Sequence, residues 1–150
     1  MVKSLKNTYI CSSDNYFVDN VFEEYVYQSY YAAVFAEGET NEYCLRHDDA
    51  GRIIGVDIGG RDAWYMLGHV YFDRNFSDKF RQIFQHDYTQ IPDVRNQLWE
   101  DVYAAHVAEL PLYIRKYAAD QVKEFDSLDE LRSFDEGYLD NLNSAIMDNI

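Results

Sequence analysis

The tightest constraint in this sequence is the change of hydrophobic period at Asp73. From Trp64 the chain runs through Met66, Leu67, Val70, Tyr71 and Phe72 with hardly a polar residue; beyond Asn75 the apolar positions fall at Phe76, Phe80, Ile83 and Phe84. A short continuous apolar run reads as a buried strand, whereas spacings of three and four make an amphipathic helix. A strand that hands over to a helix in this way needs a layered partner for both, which points to α/β or α+β with a mixed sheet. Asn75 or Ser77 is expected to cap the helix.

Other segments extend the pattern. Thr8 to Ser13 reads as a buried strand that stops at Asp14-Asn15, and Asp19 to Tyr27 carries Val21, Phe22, Tyr25 and Val26 at helical spacing. Ser29 to Ala36 and Asn41 to His47 read as strands separated by a turn at Glu37-Gly38-Glu39. Asp48-Asp49-Ala50-Gly51 is a hairpin turn answered by Arg52 to Ile58, and Gly59-Gly60-Arg61-Asp62 marks a loop. Leu98, Val102, Ala105 and Val107 predict a second helix with Glu100 and Asp101 in its first turn, where the helix dipole favours negative charge. Pro111 to Lys116 and Gln121 to Phe125 read as short strands, and Asp126-Ser127 opens a helix through Leu128, Leu131 and Phe134 that continues as a helical tail through Tyr138, Leu139, Leu142 and Ile146.

Charge narrows the function. Against 27 acidic side chains stand 13 basic ones, a net charge of −14, which repels nucleic acid and anionic membranes. A stand-alone acidic binding protein that imitates nucleic acid is the alternative this charge suggests. No apolar run reaches membrane-spanning length, and the N-terminus lacks the apolar core of a signal peptide. Cys11 and Cys44 have no ligand-like spacing and are expected to be buried thiols, which with the missing signal gives a cytoplasmic expectation.

Three acidic sites sit at element ends: Asp14, Glu100-Asp101 and Asp126. Hard carboxylate oxygens of this kind suit Mg²⁺, which needs only one or two of them plus substrate phosphate oxygens. Tyr43, Trp64, Tyr65, Tyr71 and Phe72 offer rings for a core or for a pocket that holds a quaternary ammonium by cation–π attraction. His47, His69, His86 and His106 form no metal-binding cluster in sequence, and His69 is expected to be packed or hydrogen-bonded. There is no G-x-G-x-x-G, P-loop or G-x-S-x-G elbow.

Five segments, in order, resemble choline-phosphate cytidylyltransferases. Asn7 to Tyr16 resembles the family segment ending D-x-D-N-Y, with Asp14 at the second aspartate and Ser12 at the first. Thr40-Asn41-Glu42-Tyr43 is similar to T-N-E-W, Gly68 to Asp73 to a strand ending aromatic-aromatic-aspartate, Leu98-Trp99-Glu100 to Y-W-D, and Glu124-Phe125-Asp126-Ser127 to E-I-D-S. The resemblance implies a partial nucleotidyltransferase (Rossmann-like) α/β domain over residues 1–135, a mixed sheet flanked by helices, with residues 136–150 as the tail. It implies Mg²⁺ held by Asp14 and Glu100, and an acceptor pocket involving Tyr43, Glu42, Tyr71, Asp73 and Asp126. The implied substrates are CTP or another NTP and phosphocholine or a similar acceptor. The family's glycine-rich loop, L-A-A-G-x-G-x-R with its following lysine, has no counterpart in this sequence. The N-terminal nucleotide-binding half is therefore expected to be absent, the chain inactive alone, and an uncovered sheet a route to homo-oligomers.

Overall fold

The computed structural model describes residues 4–137. Its backbone is a long hairpin, β3 (Tyr30–His47) and β4 (Ile53–Phe72), flanked by β1 (Thr8–Cys11) and β5 (Tyr113–Lys116) in the order β1-β4-β3-β5. β1, β4 and β3 are antiparallel neighbours, and β5 runs parallel to β3, so the sheet is mixed as expected. A separate two-stranded sheet pairs β2 (Asn15–Phe17) with β6 (Val122–Glu124). The helices are α1 (Arg74–Gln90), α2 (Trp99–Ala105) and α3 (Leu128–Phe134), with a 3₁₀ turn at Pro92–Asn96 that the sequence pattern did not suggest.

The hairpin turn forms where expected. The Asp48 carboxylate accepts from the backbone N–H groups of Ala50 (3.0 Å) and Arg52 (2.9 Å), and Gly51 takes a φ of 80° that a side chain would resist. The predicted breaks at Glu37-Gly38-Glu39 and Gly59-Gly60-Arg61-Asp62 are not breaks. Each is a register shift inside a continuous strand: Gly38, Gly59 and Asp62 all have positive φ, and the Gly38 N–H donates to Asp62 Oδ1 at 2.8 Å across the hairpin. The turn residues were legible, but their placement opposite one another was not.

Asp19 to Tyr27 is irregular rather than helical. Its backbone groups are taken by side chains, with Asn20 Oδ1 accepting from Phe22 N–H (3.0 Å) and the Tyr9 hydroxyl bonded to both Glu23 N–H and Glu23 C=O (3.0 and 3.2 Å). Asp73, not Asn75 or Ser77, caps α1 through a 2.9 Å bond to Phe76 N–H. Cys11, the last residue of the edge strand β1, is exposed, whereas Cys44 is buried; both thiols are free. Ser127 caps α3 as expected. The helical tail lies outside the described residues. Among them no helix is long and apolar enough to cross a membrane.

Strand alternation gives the sheet two unlike faces. On one, Tyr31 and Ala33 of β3 and Met66, Val70 and Phe72 of β4 meet Phe76 and Phe80 of α1 and Val102 and Tyr103 of α2 in the main core. On the other, Val34 and Leu67 meet Val122 of β6 in a small cluster. The pairing of β4 with β3 shifts register around Gly68, whose φ of 107° would strain any side chain and whose added Cβ would press on Ala32 and Val122 at 3.3 and 3.4 Å.

Candidate functional site

The thinly covered face carries the carboxylates. β2 and β6 pair with Asn15 opposite Glu124, and the Phe125 N–H donates to Asp14 C=O at 3.1 Å, so residues more than a hundred positions apart arrive side by side. The outcome is a cluster of Asp14, Glu124 and Asp126, each exposed, with one carboxylate oxygen from each within 4.8 Å of the others. Asn15 Nδ2 lies 3.3 Å from Asp14 Oδ1 and 3.5 Å from Glu124 Oε1, which orients the amide toward the acids. Its Oδ1 is buried without a partner among the described residues. Burial, followed by repulsion from Asp126, Asp14 and Glu42, raises the Glu124 pKa above the usual carboxylate range. Like charges held this close favour either a proton or a cation between them.

A cleft of about 140 Å³ begins beside this cluster, and Ser12, Asn15, Glu42, Tyr43, Glu100 and Glu124 contribute to its wall. Glu100, half-buried at the start of α2, accepts from the Tyr31 hydroxyl at 3.3 Å, and burial raises its pKa. Tyr43 donates its hydroxyl to Asp101 at 2.7 Å; that bond, before burial, pushes its pKa up to about 12. A wider groove of about 980 Å³ runs on between β3, β4, β6 and α3, with Phe35, Tyr65 and Phe125 beside Glu39, Glu42 and Glu124.

The residues picked out in the sequence divide into two groups. Asp14 and Asp126 come together, and Glu42, Tyr43 and Glu100 line the adjoining cleft. Glu124, which joins Asp14 and Asp126, is a residue to which sequence reasoning gave no role; only the β2–β6 pairing reveals it. The other two lie elsewhere: Tyr71 is buried against Tyr9 and Tyr30, and Asp73 is spent on its cap and on Ser29, whose Oγ donates to Asp73 Oδ2 at 2.9 Å. Of the rings proposed for a pocket, Phe72 and Trp64 pack with the main core, and Lys116 lies 4.8 Å over the Trp64 ring. His69 is buried, as expected, with Nε2 2.8 Å from the Tyr30 hydroxyl, and burial followed by the Arg115 charge lowers its pKa to about 4.

No family model matches the chain. Individual relatives do. The chain is 33% identical over 133 residues to a 2-aminoethylphosphonate cytidylyltransferase of Lancefieldella rimae, covering 88% of this chain and 54% of that protein. It is 23% identical over 134 residues to a choline-phosphate cytidylyltransferase of Streptococcus pneumoniae, covering 89% and 58%. The fold superposes on the solved CTP:phosphocholine cytidylyltransferase of Streptococcus pneumoniae with a TM-score of 0.78 at 24% identity, over 88% of this chain and 57% of that one. The resemblance read from the five segments is thus borne out, since the relatives it matches are cytidylyltransferases, and the mixed α/β fold is that of the solved one. The chain spans about half the length of the curated relatives it matches.

Proposed function

We propose that this chain forms the acceptor- and cation-binding portion of a cytidylyltransferase whose acceptor joins a cationic nitrogen to a phosphate or phosphonate. The names of both relatives describe acceptors of that kind. In the complete reaction an acceptor oxygen attacks the α-phosphorus of CTP; the new P–O bond forms as the α–β bridging bond breaks, and pyrophosphate leaves with the bonding electrons. The observation that carries the proposal is the meeting of Asp14, Glu124 and Asp126 at the mouth of a groove edged by Glu42 and Glu39.

The donor set fits Mg²⁺: three hard carboxylates, mutually close, with a raised Glu124 pKa that a cation would relieve. Asp14, Glu124 and Asp126 would hold it, and the bound ion would offset charge on the nucleotide phosphates. Glu100, tied to Tyr31 across the cleft, is then better placed to face the acceptor's cationic nitrogen together with Glu42. Tyr43, fixed by Asp101, would keep its ring still beside that headgroup.

These 150 residues contain no glycine-rich phosphate loop, and the net charge of −14 repels a triphosphate, so turnover requires a nucleotide-binding half. Joined to that half of a relative, the chain should release pyrophosphate from CTP in the presence of Mg²⁺ and either 2-aminoethylphosphonate or phosphocholine. Asp14→Ala should lower the rate by about 100-fold or more. A rate unchanged by that substitution would remove Asp14 from the mechanism.

A further inference from the structure

Away from the acidic groove, the last turns of α1 and the segment after α2 are joined by a row of titratable groups. Asp87 of α1 is only 5% exposed, and its two oxygens are shared between histidines: His86 Nδ1 at 3.1 Å and His106 Nε2 at 2.8 Å. The second ring nitrogen of His106, Nδ1, meets Glu109 Oε1 at 3.1 Å. Gln82 and Ile83 complete the walls of the small cavity these four residues share. From the sheet, Arg52 reaches the same segment and donates Nη2 to Ala108 C=O at 3.0 Å.

We propose that Glu109, His106 and Asp87 form a pH-sensitive clamp that holds the segment following α2 against the end of α1 while His106 is protonated. Hydrogen-bond stoichiometry decides the point. A carboxylate only accepts, so an imidazole placed between two carboxylates must donate from both nitrogens, and only the imidazolium can. A neutral ring donates once and turns a lone pair toward the other acid. His86 does not substitute, because its side chain is 73% exposed and reaches only Asp87.

The charges act in the same direction. Burial opposes the imidazolium, but the bonds to Glu109 and Asp87 and the charges of those acids outweigh it, so the His106 pKa lies above its ordinary 6.5. The bond from His86 pulls Asp87 below its ordinary 3.8; burial opposes this and His106 reinforces it. A raised histidine stabilises fully below 6.5 and loses that contribution as pH rises through its folded value. A lowered aspartate contributes above 3.8 and loses it as pH falls through its folded value. The clamp is closed between these limits and opens on the alkaline side. α2, which the clamp positions, carries Glu100 and Asp101.

The test is an NMR pH titration of the full chain, following the His106 ring and the backbone amides of Trp99–Ala105 and the last turn of α1. The His106 midpoint should exceed 6.5, the amides should move with the same midpoint, and Glu109→Gln should lower it. The melting temperature should fall between about pH 6 and about pH 8, and His106→Gln should remove that fall. A midpoint at or below 6.5, amides that ignore it, or an unchanged fall in His106→Gln would each overturn the clamp. Should His106→Gln not fold, the Glu109→Gln titration decides, since Glu109 is largely exposed.

Discussion

The two faces of the central sheet differ in almost everything except the strands they share. Against one lie α1 and α2, and Phe72 there meets Phe76, Phe80 and Trp99 at ring separations of 4.3 to 5.5 Å, with no exposure of its own. Against the other lie three short elements, β2, β6 and α3, and an irregular segment that leaves Tyr25 and Tyr27 70% and 95% exposed. A carboxylate in the first setting needs a partner, as Asp87 has in His86 and His106, whereas the clustered carboxylates of the second are open to water and cations. The large apolar core thus lies on the helical face, and the exposed cluster of Asp14, Glu124 and Asp126 on the open one, with Glu100 reaching the cleft between them from the start of α2.

If that division holds, substitutions should separate by face. Phe72→Ala removes a ring from the centre of the packed side and should cost about 3–5 kcal/mol in urea unfolding. Gly68→Ala acts at the seam: a side chain at φ 107°, pressed toward Ala32 and Val122, should cost about 1–3 kcal/mol. Asp73→Ala deletes the α1 cap and should cost about 0.5–2 kcal/mol, marking Asp73 as a structural group. Glu124→Gln, on the open face, should change stability by no more than about 0.5 kcal/mol and in the favourable direction, because it relieves repulsion from Asp126, Asp14 and Glu42. A loss there as large as that of Phe72→Ala would mean that the acidic face is structural as well.

Much of the helical face was legible in the sequence. The period change at Asp73 located the end of β4 and the start of α1, and on the open face Ser127 announced α3, because caps and amphipathic spacing are local properties. The site was legible only in part. Asp14 and Asp126 could be named from motif resemblance and from their places at element ends, yet Glu124, though it opens the same matched segment as Asp126, gained a role only when it paired with Asn15 across β2 and β6. Pairing between three-residue strands at opposite ends of a chain leaves no periodic trace. The same limitation explains Glu37 to Glu39 and Gly59 to Asp62, where turn residues were read correctly but served as facing bulges. Asp19 to Tyr27 had helical spacing, but Asn20 and the Tyr9 hydroxyl compete for its backbone.

The most direct test of the division is Mn²⁺ binding to the isolated chain, followed by electron paramagnetic resonance beside a thermal melt. One saturable site is expected, weakened about tenfold or more by Asp14→Asn or Asp126→Asn while the melting temperature stays within a few degrees of the parent. Absence of saturable binding, or binding that survives removal of Asp14, Glu124 and Asp126 together, would contradict the assignment of the cation site to the open face.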